Sequence, residues 1–219
     1  MNVLFIGNSY TYYNDMPSIF EKLAGSNGKD VSVYSVTKGG RRLLQYRESD
    51  STTTELDGLL AQKTFDICFI QEQSVLPAKD FEAFLSGLDC VVGKVKNKAD
   101  RLILYATWGR KSGSSTLAEN NWTTESMNRR LSEAYQKAAG LYGAQVSPVG
   151  DRFLCIAQHD PEINLYQDDL SHPSYQGSCL AALTHYHTVF GEFPSQTGSL
   201  ALSDAELSAF KAAICRPAL

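Results

Sequence analysis

The sequence has no apolar run approaching the ~18–20 residues of a membrane span. A bilayer partner is therefore not expected. It has no excess of basic charge: the formal net charge is −4. That balance gives no reason to expect nucleic acid or an anionic membrane surface as partner. Arg41-Arg42 and the lysines within 94–98 are local, and read as a solvated loop and a helix end. No G-x-G-x-x-G or Walker sequence is present, so nucleotide binding has no motif behind it. The five cysteines (Cys68, Cys90, Cys155, Cys179, Cys215) are odd in number and lack a C-x-x-C pair. A disulfide framework is not indicated, and a reducing compartment is. Cys68 and Cys179 lie in apolar segments and read as small core residues. Val3–Ile6 is too short for the apolar region of a signal peptide and is needed as a strand. As given, the chain reads as cytoplasmic, although a leader already removed would leave the same sequence. Histidines are scarce. His185 and His187 stand two apart on an expected helix, so they face different ways and make a poor metal pair. His159 stands alone.

What is there is a regular alternation of strands and helices. Val3–Ile6 is a first strand, and Asn14 or Asp15 can cap a helix through Gly25 with Pro17 in its first turn. Residues 31–36 alternate with period two as a second strand. A short helix over 52–62 follows. Ile67–Ile70 is wholly apolar, as in strands buried on both faces. A helix spans 80–96, and 102–106 is another buried strand. The polar stretch 109–121 reads as a loop, within an unusually long connection of the kind that shapes substrate sites. A long helix begins at Thr123 or Thr124 and runs to Tyr142. Ala144–Val149 is the last strand, with helices near 150–158, 173–190 and 203–215. Five short strands separated by helices predict an α/β fold with a parallel sheet covered on both faces. No linker or repeat divides residues 1–219, which are read as one domain.

Ligands of such sheets bind beyond the carboxyl ends of the strands. The polar residues of interest fall there. Ser9 follows strand one, Gly39-Gly40 strand two, Gln71-Glu72-Gln73-Ser74 strand three and Trp108 strand four. Far downstream, Asp169 and His172 stand three residues apart. A serine hydroxyl is a poor nucleophile until a base removes its proton, and the base works best with a carboxylate fixing its tautomer. Ser9, His172 and Asp169 supply these parts as nucleophile, general base and orienting acid. Asp168 is the adjacent competitor for the last role. Candidate donors to an oxyanion are the backbone N–H of Ser9, the backbone N–H of Gly40 and the side-chain amide of Gln73. Tyr10, Tyr12, Tyr13, Arg41, Trp108 and Trp122 are candidates for the pocket wall, with core packing as the competing role for each aromatic.

The blocks Gly7-Asn8-Ser9-Tyr10, Gly39-Gly40, Gln71-Glu72-Gln73-Ser74 and Asp169-Leu170-Ser171-His172 resemble those of the SGNH (GDSL-type) hydrolase superfamily. The run Phe5–Thr11, with Ser147-Pro148-Val149-Gly150 and His172-Pro173-Ser174, resembles its bacterial DUF4886-like subgroup. The resemblance implies a flavodoxin-like three-layer α/β/α sandwich and ester hydrolysis without a metal or other cofactor. It implies Ser9, Asp169 and His172 as the triad, with Ser9, Gly40 and Gln73 around the oxyanion. Two departures stand out: the superfamily usually carries Asp where this chain has Asn8, and Asn where it has Gln73. The expected enzyme is a serine esterase removing a small acyl group, acetyl above all, from a carbohydrate or other small polar molecule. The alternatives are a thioesterase or lysophospholipase-like acyl hydrolase, and a catalytically weak glycan-binding member.

Overall fold

The computed structural model describes residues 1–198 and 200–216. Five parallel strands form one sheet in the order β2-β1-β3-β4-β5. In chain order they are β1 (Asn2–Gly7), β2 (Ser32–Thr37), β3 (Phe65–Ile70), β4 (Ala99–Tyr105) and β5 (Gln145–Ser147). The helices are α1 (Ser9–Tyr12), α2 (Met16–Ser26), α3 (Ser51–Gln62), α4 (Leu76–Lys79), α5 (Phe81–Val95), α6 (Ser115–Asn120), α7 (Thr124–Tyr142), α8 (Val149–His159), α9 (Tyr175–Phe190) and α10 (Asp204–Cys215).

Period-two alternation within the strands divides the core. Val3, Phe5, Ile67, Phe69, Ile103 and Tyr105 point to one face, where α2, α8, α9 and α10 cover them. Leu4, Ile6, Cys68, Ile70 and Leu104 point to the other, under α3, α5 and α7. The central register sets Leu4 opposite Tyr34 on one side and Cys68 on the other. The flavodoxin-like three-layer sandwich expected from the sequence is thus the observed one. Among the described residues no helix is long and apolar enough to cross a membrane.

Several boundaries differ from expectation. The polar stretch after β4 is not all loop, because α6 forms within it. The last strand is shorter than expected: Val149 already opens α8. Asp15 does precede α2, but its backbone is left-handed (φ 54°) and its side chain makes no capping bond. Asn14 is also left-handed, at φ 54°. Elsewhere the caps follow local chemistry. Thr123 and Ser126 form a reciprocal capping box at the start of α7. Ser174 Oγ accepts from the Gly177 N–H and so starts α9 just after His172-Pro173.

Candidate active site

The nucleophile turn is built first. β1 ends at Gly7, where a Cβ would lie 2.5 Å from Thr11 Oγ1 and 2.6 Å from Gln71 Oε1. Only glycine lets the turn close against that amide. Gln71 Oε1 accepts from the Asn8 N–H (2.9 Å) and from Thr11 Oγ1 (2.9 Å). Asn8 caps α1: its Oδ1 accepts from the Tyr10 N–H (3.1 Å), and its Nδ2 donates to the Arg41 carbonyl (3.0 Å). Ser9 is thereby fixed at the helix start. Its backbone N–H has no acceptor among the described residues.

Asp169 and His172 come from a tight turn held by the chain on either side. Gln167 N–H donates to the His172 carbonyl (2.8 Å), and Leu170 takes a left-handed φ of 61°. The Asn14 amide ties this turn to the N-terminal segment, donating to the carbonyls of Pro173 (3.1 Å) and Ser174 (3.0 Å) and to Ser178 Oγ (2.9 Å). His172 Nε2 lies 2.8 Å from Ser9 Oγ, and Nδ1 lies 2.5 Å from Asp169 Oδ2. With the Nδ1 proton directed at the carboxylate, Nε2 is free to accept from the serine hydroxyl. Asp169 Oδ1 also accepts the Ser171 and His172 backbone N–H groups. Partial burial would raise the Asp169 carboxyl; the His172 ring and these two N–H groups outweigh that and hold it below the usual carboxylate range. The Asp169 side chain remains 47% exposed and that of His172 25%. The Tyr13 ring stacks on the imidazole (4.3 Å, 11°), and Tyr10 meets it edge-on at 5.4 Å.

The other strand ends converge beside Ser9. The turn Lys38–Arg41 closes with Gly40 at φ 67°, a conformation that suits glycine. The Gly40 N–H has no acceptor among the described residues. After β3, Gln73 Oε1 accepts from the N–H groups of Val75 and Leu76, both at 3.1 Å. Its carbonyl end is used to start α4, and its amide nitrogen has no acceptor among the described residues. Glu72, fully buried, accepts backbone N–H groups from Leu43 and Gln73.

The expected pocket wall is corrected. Trp108 is completely buried, sandwiched between Tyr10 (4.6 Å) and Phe153 (4.1 Å), and its Nε1 donates to the Ser171 carbonyl. It holds the histidine turn from below and lines no cleft. Arg41 is 4% exposed: its guanidinium turns away to Asp50, Thr53 and the Gln45 carbonyl and packs on Tyr46. Tyr10 is 3% exposed, its hydroxyl bonded to Ser171 Oγ (2.9 Å) and Arg110. These three side chains brace the site and leave no surface for a substrate. Trp122 packs beneath α7, against the core face away from the histidine turn, with Arg130 over its ring. Of the aromatic candidates, Tyr12 is the exposed one, at 41%. Arg110 was not foreseen, and the bracing roles of Asn14, Gln71 and Glu72 were not read from the sequence, which placed the first at a helix start and the other two in the block after β3; each is a single polar side chain with no periodic signature. Among the described residues no three His, Cys, Asp or Glu side chains are grouped as metal ligands.

No family profile matches the sequence, and no curated protein matches it. Solved structures do. A protein of Slackia heliotrinireducens, provisionally assigned as an SGNH hydrolase, is 28% identical over 86% of this chain and 98% of its own, with a TM-score of 0.74. A DUF4886 family protein of Bacteroides uniformis is 18% identical over 98% and 93% respectively, with a TM-score of 0.83. An acetyl-xylooligosaccharide esterase of Geobacillus stearothermophilus is 14% identical over 90% and 97%, with a TM-score of 0.67. The chain shares the fold of the SGNH hydrolases, and the resemblance carried by its four sequence blocks is borne out. The comparisons support a hydrolase that cleaves esters.

Proposed function

We propose that this protein is a serine esterase that removes a small acyl group, acetyl above all, from a carbohydrate or related polar alcohol through an acyl-enzyme on Ser9. The observation that carries the reading is the continuous chain Ser9 Oγ, His172 Nε2, His172 Nδ1, Asp169 Oδ2, with contacts of 2.8 and 2.5 Å. His172 takes the Ser9 proton as Oγ attacks the ester carbonyl, and the Asp169 carboxylate stabilises the imidazolium. The tetrahedral oxyanion is received by the free N–H groups of Ser9 and Gly40 and by the Gln73 amide. Collapse expels the alcohol, which His172 protonates. Water, deprotonated by the same imidazole, then releases the acid.

Acetyl and sugar are supported by the structural likeness to an acetyl-xylooligosaccharide esterase, an argument from analogy. A second support is exposure: His172 and Asp169 lie open to solvent on one side, as an ester carried on a bulky chain requires. A fluorophosphonate probe tests the reading directly. Ser9 is expected to be labelled, Ser9→Ala to lose both labelling and ester turnover with the fold intact, and His172→Ala to label far more slowly. A folded wild-type protein that resists the probe would return the chain to glycan binding without catalysis. Acyl-length profiling on p-nitrophenyl esters separates acetyl preference from the thioesterase or lysophospholipase-like alternative, which requires a rise at long chains.

A further inference from the structure

Glu72 has no part in the mechanism above, yet it is the fully buried carboxylate of the site. Its Oε1 lies 2.5 Å from the Gln73 backbone N and 3.1 Å from that of Leu43; Oε2 is 3.3 Å from the latter. No lysine, arginine or histidine among the described residues pairs with it. The far side of the carboxylate rests on α5 at Gly87, where a Cβ would lie 2.7 Å from Oε2. From α7, the Tyr135 hydroxyl accepts the Glu72 backbone N–H at 3.3 Å, and Arg42 supplies the charge felt from the loop after β2. A buried carboxylate without a cation is costly to fold. Its two acceptor bonds run to two different loops. Leu43 belongs to the segment that carries Gly40, and Gln73 to the segment that begins α4.

We propose that Glu72 is a positioning residue: one carboxylate clasps the Gly40 loop to the Gln73 loop and so sets the spacing of the oxyanion donors. The proposal rests on the esterase reading above. An ionised acceptor makes markedly stronger bonds to N–H than a neutral one. The clasp therefore tightens as Glu72 loses its proton. Burial pushes that ionisation up to about 7, against the opposing pull of the Gln73 and Leu43 N–H groups and of Arg42. The oxyanion side of the site then responds to pH independently of His172.

The test compares wild type with Glu72→Gln on p-nitrophenyl acetate from pH 5.5 to 8.5, with circular dichroism to verify folding. At pH 8.5 the amide variant is expected to lose about tenfold in kcat, the difference between a charged and a neutral acceptor, with KM little changed. The ratio of the two rates should shrink toward one at pH 5.5, because protonation makes the wild-type side chain neutral too. Whatever the triad contributes is common to both proteins and cancels from the ratio. Glu72→Ala should lose more, on the order of 10²–10³ as for loss of an oxyanion donor; the isosteric amide carries the test if that variant does not fold. A ratio constant with pH, a loss confined to KM, or an unchanged kcat overturns the clasp while leaving the esterase reading standing. Absence of ester turnover and of fluorophosphonate labelling in wild type sinks the esterase reading, and the catalytic role of the clasp with it.

Discussion

Asn8 stands where the superfamily usually has Asp, so Asn8→Asp is a substitution toward the common residue. The structure predicts that it does harm. Asn8 needs both ends of its amide: Oδ1 accepts the Tyr10 N–H, while Nδ2 donates to the Arg41 carbonyl at 3.0 Å. A carboxylate keeps the first bond and replaces the second by two acceptors facing one another. The Arg41 carbonyl has no other donor among the described residues. Leaving a buried acceptor unpaired costs about 1–3 kcal/mol, before the burial of a charge at a position only 3% exposed is counted.

The strain falls between the Ser9 turn and the Gly40 loop, which the amide joins. Expressed there in full, it lowers kcat/KM by roughly ten- to a hundredfold, at 1.4 kcal/mol per factor of ten. The loss carries a pH signature. A protonated carboxyl can still donate to the Arg41 carbonyl, so the variant should approach wild type in acid and fall away as pH rises. Initial rates on p-nitrophenyl acetate from pH 5.5 to 9, with urea midpoints at the same pH values, read both effects. A variant within twofold of wild type across that range, with an unchanged midpoint, refutes the assignment of Asn8 as a two-ended brace.

Two further outcomes follow from the same geometry. Asp169→Asn should keep the turn, because an amide oxygen still accepts the Ser171 and His172 N–H groups, but should lose on the order of 10²–10⁴ in kcat through the wrong tautomer; a loss under threefold would show that the exposed carboxylate does not direct the ring. His185, fully buried beside Phe5, Phe69 and Tyr105, is held neutral by desolvation, which lowers it to about 3. Protons therefore bind the unfolded chain more readily, and about 5 kcal/mol of stability present above pH 6.5 is lost as pH falls toward 3. Urea midpoints of wild type and His185→Gln should diverge as acid is added, and parallel curves would contradict this.

The sheet was legible because its signal repeats. Val3, Phe5 and the residues paired with them in β3 announce a buried parallel strand whatever their neighbours do. The capping residue Thr123 marked the start of α7 by local chemistry alone. Legibility fails where a single side chain must choose a direction. Trp108, Tyr10 and Arg41 stand at strand ends, and position alone placed them on the pocket wall. Trp108 instead stacks on Phe153; what decides it is a ring brought from α8, and nothing near residue 108 encodes that encounter. Arg41 turns inward because Asp50, the cap of α3, lies within 2.6 Å. Asn14 escaped notice for a related reason. It reads as a helix cap, and it adopts the left-handed backbone that asparagine tolerates in order to reach the histidine turn.

Amide and carboxyl side chains do the joining throughout this site, and that bears on the two departures from the superfamily pattern. Asn8 joins the nucleophile turn to the Gly40 loop, Gln71 joins it to β3, Glu72 joins the Gly40 loop to the Gln73 loop, and Asn14 joins it all to the histidine turn. Every one spans two chain segments by accepting or donating at backbone groups. Gln73 fits the same scheme. Its carbonyl is anchored on the first turn of α4 at two points, which fixes the extra methylene that distinguishes it from asparagine and leaves the amide nitrogen without an acceptor among the described residues. A longer side chain held at its carbonyl end is no looser than a shorter one held at its stem. The departures at Asn8 and Gln73 therefore belong together: both supply amides, Asn8 with both ends spent on the scaffold and Gln73 with its carbonyl end alone, where a carboxylate at the first position would have had no proton to give.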